Sequence, residues 1–272
     1  MTTIRREVEV ADGTRIPVWI SGQGRPLLII PGAAADHEAW EPVREYLEPH
    51  VTVAIMDRRA VLEDPLNPLD LEQEFDDIAE VAASLGDEVD LMGHSSGGDV
   101  ALWAGLGMNN LRRLVLYESG LGPEEGRDEA IAFAETMMEE HVRAGNAEPI
   151  TDVLVEWMGS MYPAEHEAWE AARDKFLSLW LPREVLAISR VEVDYEKLRG
   201  LSAPTMYLIG SETPPETVRH WLEPLPQFIP NLTVRELPGL AHLANWTGPD
   251  VISEVVLEFV QAEEPHHAAS GN

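Results

Sequence analysis

The sequence predicts an α/β protein built on a mainly parallel sheet that is buried on both faces and interrupted once by a helical insertion. Three observations carry that expectation. Apolar runs such as Pro26 to Ile30, Val51 to Met56 and Leu114 to Tyr117 alternate with stretches of helical period. Those runs lack polar alternation, as strands do when helices cover both faces of their sheet. The alternation then stops: from Gly122 to about Leu201 the pattern is helical throughout, before strand and helix resume.

Taken in order, Arg5 to Val10 and Arg15 to Ser21 read as a hairpin around Asp12 and Gly13. Pro26 to Ile30 follows as a strand, Glu38 to Leu47 as a helix, Val51 to Met56 as a strand and Leu69 to Leu85 as an amphipathic helix. Val89 to Met92 is a strand, Gly98 to Leu106 a helix and Leu114 to Tyr117 a strand. Beyond the insertion, Thr205 to Ile209 and Thr233 to Leu237 are strands, and Thr217 to Leu225 and Val251 to Val260 are helices. The expected division is a core of residues 1–121 and 202–262, a helical block of residues 122–201, and a disordered tail of residues 263–272. With 272 residues and 44% hydrophobic content, the chain is long enough for one large core plus one insertion.

Composition excludes several function classes. The formal charge of −30, from 49 acidic and 19 basic residues, repels phosphate backbones and anionic lipid surfaces, so neither nucleic acid nor membrane is an expected partner. The acids Glu72, Glu74, Asp76, Asp77 and Glu80 read as a solvated helix face, not as a metal site. There is no cysteine, which removes disulfides, thiol nucleophiles and thiolate metal ligands. No run of eighteen apolar residues and no signal-like start are found, so a soluble, cytoplasmic chain is expected. No phosphate-cradling motif surrounds Lys175 or Lys197, and no cofactor is expected; the partner is a small-molecule substrate.

Residues 91 to 98 read Leu-Met-Gly-His-Ser-Ser-Gly-Gly, which centres Ser95 in G-x-S-x-G between a strand-forming and a helix-forming run. A turn that tight lifts the serine out of the sheet, and Gly93 and Gly97 fall where a Cβ would collide with the adjoining elements. A serine nucleophile needs a base that takes its proton near neutral pH. Of nine histidines, His242 follows a strand and a glycine turn just before the final helix, where the base falls in the chain order serine, acid, histidine. In that order of elements one oxyanion donor is the N–H of Ser96, and the other is that of Ala33 in the loop Pro31-Gly32-Ala33-Ala34-Ala35. His37 and His94 are candidate pocket residues.

Together, Gly93-His94-Ser95-Ser96-Gly97-Gly98, Pro31-Gly32 with Trp40 downstream, Met56-Asp57-Arg58-Arg59 and Gly239-Leu240-Ala241-His242 resemble the α/β-hydrolase fold superfamily of serine hydrolases over nearly the whole chain. The resemblance implies an eight-stranded sheet, a triad in the order serine, acid, histidine, and a helical cap between strands six and eight. Ser95 distinguishes the chain from the similar haloalkane dehalogenases and epoxide hydrolases, which carry aspartate at that position, so ester or other acyl chemistry is expected.

The acid departs from the pattern. Gly210-Ser211-Glu212-Thr213 puts a threonine where many relatives carry aspartate. Glu118, at the end of the strand Leu114 to Tyr117, and Glu212, one position early, are the two candidates. Glu118 is preferred because a carboxylate ending a buried strand needs a partner such as histidine. In the insertion, Met137, Trp157 and Met161 are expected to line the pocket among Phe133, Met138, Met158, Trp169, Phe176 and Trp180, which favours a fairly apolar substrate. The expected activity is cofactor-independent hydrolysis of a small or medium carboxylic ester, lactone or thioester. Carbon-carbon hydrolysis, acyl transfer or cyclisation on the same fold, or a ligand-binding protein with a vestigial site, are the alternatives.

Overall fold

The computed structural model describes residues 1–120, 126–191 and 194–262, with residues 218–221 by backbone alone. Eight strands form one sheet: β1 (Ile4–Glu9), β2 (Arg15–Gly22), β3 (Pro26–Ile30), β4 (Thr52–Met56), β5 (Val89–His94), β6 (Leu111–Tyr117), β7 (Thr205–Gly210) and β8 (Leu232–Leu237), in the order β1-β2-β4-β3-β5-β6-β7-β8. Only β2 runs against its neighbours, pairing antiparallel with β1 and β4; the remaining pairs are parallel.

The period of two in a strand explains the two cores. In β3, Leu28 and Ile30 join Ile78 and Val81 of α3 (Leu71–Leu85) and Val100 of α4 (Ser96–Gly107) on one face. Leu27 and Ile29 join Val43 of α1 (Glu41–Leu47) and Ile252 and Val256 of α12 (Pro249–Gln261) on the other. All four β3 side chains are fully buried, as an unalternating apolar run requires.

The expected elements recur with local differences. The helix read over 38–47 opens as a 3-10 turn, His37–Trp40, capped by Asp36, whose Oδ1 accepts the Glu38 N–H at 2.9 Å, and continues as α1 from Glu41. The helix read over 217–225 divides into α9 (Pro215–Leu222) and α10 (Leu225–Phe228): Pro224, which has no N–H to donate, falls between them, and Pro226 is tolerated in the first turn of α10. A short helix α2 (Arg59–Leu62) was not foreseen. The acidic face of α3 is corrected in part: Glu74 and Asp77 are buried, held by Arg58 and Arg59 respectively, instead of facing solvent.

Between β6 and β7 lie α5 (Arg127–Met137), a π-helical turn (Met138–Val142), α6 (Glu148–Met161), α7 (His166–Ala171) and α8 (Leu181–Ser189). Leu154, Val155, Met158, Tyr162, Trp169 and Leu181 of this segment form a third apolar cluster with Ala34, Ala241 and Leu243, which belong to loops at the carboxyl ends of the strands. The segment thus covers the end of the sheet where open α/β folds bind ligands. The tail expected at 263–272 lies outside the described residues, as do 122–125 and 192–193 of the insertion. Among the described residues no helix is long and apolar enough to cross a membrane.

Candidate active site

Ser95 stands between β5 and α4 at φ 53, ψ −131, a region that side-chain-bearing residues rarely adopt. The turn is pinned to β6 by the Ser95 N–H, which donates to the Tyr117 carbonyl at 2.9 Å. A Cβ on Gly93 would collide with the Gly97 and Gly98 backbone, and one on Gly97 with the Pro31 carbonyl, so the elbow closes only with glycine at both places. Among the described residues, three non-glycine positions have positive φ: Ala34 at 51, Ser95 at 53 and Glu118 at 47. Each such position costs about 1–3 kcal/mol and persists only where the surroundings enforce it. One lies beside Ala33, one is the elbow serine and one is the candidate acid.

His242 lies in the loop between β8 and α11 (Ala244–Thr247), and its Nδ1 is 3.3 Å from Glu118 Oε2, with both residues buried. The other Glu118 oxygen accepts the Gly210 N–H at 2.9 Å and the Thr213 hydroxyl. Glu212 is exposed, and its Oε1 accepts from the neighbouring Ser211 hydroxyl at 3.4 Å. Of the two candidate acids, the structure therefore brings Glu118 to His242 and turns Glu212 outward.

The loop carrying His242 is held on several sides. His94 Nε2 lies 3.0 Å from the His242 carbonyl, and its ring stacks on Tyr117 with centroids 4.7 Å apart. The Tyr117 hydroxyl donates to the Ala241 carbonyl and accepts the Ala244 N–H at 2.8 Å. From the insertion, Glu165 accepts the N–H of Leu243 at 2.8 Å and of Ala241 at 3.3 Å. Burial pushes the His94 pKa well down, helped by neighbouring His242, so His94 is neutral. Burial also pushes the Tyr162 hydroxyl well up, reinforced by the charge of Glu118, so its ring, centred 4.8 Å from that of His242, keeps its proton.

Ser96 opens α4, so its N–H has no carbonyl four residues earlier within the helix and points from the positive end of the helix dipole. Beneath it lies Arg58, 1% exposed. Its guanidinium donates to the Gly32 carbonyl at 3.1 Å, to Glu74 at 3.2 Å and to Glu184 of α8. The Ser96 hydroxyl donates to the same Glu184 oxygen at 2.6 Å. Burial alone would lower the Arg58 pKa, but Glu184 and Glu74 more than offset it, and the guanidinium is held charged.

Ser95, His242, Glu118, Gly32, Ala33 and Ser96 all line one cavity of about 580 Å³. Its roof includes Met158, Met161, Trp169, Phe176 and Leu181, with Trp157 at 55% exposure. His94, Trp157 and Met161 thus reach the cavity as expected. Two expected pocket residues do not. The His37 ring stacks on Trp19 and lies 2.9 Å from Asp57 Oδ1, which draws it away from the elbow. Met137, at the end of α5, packs into the apolar cluster between insertion and sheet.

Sequence reasoning missed Thr213, Tyr117, Arg58, Glu165 and Glu184 as parts of the site. Arg58 stood in the Met56-Asp57-Arg58-Arg59 motif, but Glu165 and Glu184 were two among many acids, with no spacing to mark them.

Comparison with known proteins agrees with this architecture. The model of the alpha/beta hydrolase family matches residues 27–255, so the chain belongs to that family. Its fold is similar to that of a thermophilic esterase from Thermogutta terrifontis (TM-score 0.75, 22% identity, 95% of this chain and 98% of that one). It is also similar to an esterase from Exiguobacterium antarcticum (TM-score 0.76, 18% identity, 95% and 100%). A third similar fold is the enol-lactonase from Burkholderia xenovorans LB400 (TM-score 0.73, 17% identity, 94% and 100%). At these identities the likeness is one of fold.

Proposed function

We propose that this member of the hydrolase family is a cofactor-independent serine hydrolase of small to medium, fairly apolar carboxylic esters, lactones or thioesters. The observation that carries the reading is the convergence of a strained elbow serine and a buried His242–Glu118 pair on one cavity. The cavity volume of about 580 Å³ lies in the range of roughly 300–1,000 Å³ usual for small-molecule sites.

In this reading Ser95 Oγ attacks the acyl carbon while His242 Nε2 takes its proton, and Glu118 on Nδ1 fixes the tautomer and stabilises the imidazolium. The N–H groups of Ala33 and Ser96 receive the developing oxyanion. The imidazolium returns its proton to the leaving oxygen or sulfur, and water, deprotonated by the same histidine, releases the acid. The residues between β6 and β7 act as a cap whose rings and thioethers accept an apolar acyl or alcohol part.

Intact-mass analysis after fluorophosphonate treatment tests the reading. One adduct on Ser95, with p-nitrophenyl ester turnover lost in Ser95→Ala, is expected. Absence of both adduct and turnover would instead support a ligand-binding protein with a vestigial site.

A further inference from the structure

We infer that the insertion is part of the catalytic apparatus and not only its roof, because two of its buried carboxylates, Glu165 and Glu184, act as positioning residues for the base and for the oxyanion site. The inference rests on the serine hydrolase reading above.

Glu165 comes from the turn Pro163–Glu165 ahead of α7, and its two oxygens take the N–H groups on either side of His242, those of Ala241 and Leu243, together with the Thr247 hydroxyl at 3.2 Å. It contributes nothing to the cavity wall. Burial raises its pKa, opposed first by the Leu243 N–H and then by nearby His242 and the Ala241 N–H. A carboxylate in that place limits the travel of the histidine loop and favours the imidazolium formed when Ser95 is deprotonated.

Glu184 works on the other half of the site. It is fully buried on α8, and one oxygen binds both Arg58 and the Ser96 hydroxyl. Arg58 in turn grips the Gly32 carbonyl. In a planar trans peptide the carbonyl of one residue and the N–H of the next point in opposite directions. Holding the Gly32 oxygen from behind therefore directs the Ala33 N–H away from Arg58. One ion pair between insertion and core thus sets the loop and the helix start that supply the two proposed oxyanion donors. Removing the Glu184 charge leaves Glu74, with Asp99 nearby, to balance the buried Arg58 guanidinium and takes from the Ser96 hydroxyl the carboxylate to which it donates.

The test uses the full chain with Glu165→Gln, Glu184→Gln and, as a surface control, Glu45→Gln on the exposed face of α1, each checked for native circular dichroism. The unsubstituted enzyme must first turn over an ester; if it does not, the serine hydrolase reading fails before the cap is tested. Glu184→Gln is expected to lower kcat about ten- to a hundredfold with KM nearly unchanged, and to weaken by the same factor the binding of a boronic acid, whose boron becomes tetrahedral on bonding to the Ser95 oxygen. Glu165→Gln is expected to lower kcat similarly and to move the acidic limb of the kcat/KM profile to lower pH, since a negative charge near the imidazolium is lost. Among the described residues, the other titratable groups facing His242 are Glu118, His94, Tyr117 and Tyr162, and all four are retained in both variants. Where a glutamine variant does not fold, Glu165→Asp or Glu184→Asp replaces it, with the loss of kcat as readout. Lower thermal stability or higher KM with kcat, acid limb and boronate affinity intact would overturn the inference and leave the insertion as a roof.

Discussion

Thr213 donates its hydroxyl to Glu118, the carboxylate whose other oxygen faces His242. In the sequence Thr213 stands where an acid is missing; in the structure it hydrogen-bonds the Glu118 carboxylate that follows β6, the proposed acid. A carboxylate ending β7 and one ending β6 reach the same space because the two strands are parallel neighbours, with Tyr117 level with Leu208. In the proposed reading, the acid therefore comes from one strand over while the histidine stays in place.

The three residues should separate in activity. Glu118→Gln is expected to lower kcat by up to about 10⁴, the scale seen when a triad carboxylate loses its charge but keeps its shape. Thr213→Val removes one hydrogen bond to that charge, worth about 1.5–3 kcal/mol, and should cost roughly ten- to a hundredfold, largely restored in Thr213→Ser. Glu212→Gln should be close to unsubstituted enzyme. Steady-state kinetics on one ester checks the ranking, and an order with Glu212 above Glu118 would return the acid to β7.

Histidine substitutions should divide by location. His242→Ala should lower kcat by several orders of magnitude, about as much as Ser95→Ala, because residues acting as one unit are not additive. His37→Ala should leave kcat nearly unchanged, since His37 pairs with Asp57 outside the cavity. His94→Ala should fall between, through the lost hold on the His242 carbonyl. Matched kcat values for the three variants decide the assignment.

His94 also makes a prediction about acid stability. Its pKa is depressed by burial and by His242, so the folded state binds its proton less readily than the unfolded chain. The stability it contributes is fully present above the unfolded value of about 6.5 and is lost as pH falls from there toward the depressed folded value. The loss attributable to this one group reaches at most about 1.4 kcal/mol per pH unit. In His94→Gln, which cannot titrate, urea unfolding between pH 7 and pH 5 should show a correspondingly shallower decline. An identical slope in both proteins would locate acid sensitivity elsewhere.

The elbow turn at Ser95, the succession of strands and helices up to the insertion, and a histidine loop between the last strand and the last long helix were legible in the sequence because each is a local pattern: glycines around a serine, unalternating apolar runs, a histidine after a strand and a turn. Tight turns and buried parallel strands constrain neighbouring residues directly, so composition within a few positions reveals them. The choice between Glu118 and Glu212 was not local. It depended on which carboxylate the parallel β6 and β7 bring to the His242 ring, and on the Gly210 N–H and the Thr213 hydroxyl that make burial of Glu118 tolerable. His37 and Met137 had the right residue types but lie off the cavity, drawn away by Asp57 and by the apolar cluster. Glu165 and Glu184 were the hardest to foresee. In sequence they are two of 49 acidic residues; only tertiary packing buries them, and a buried charge must find partners, here the amides beside His242 and the guanidinium of Arg58.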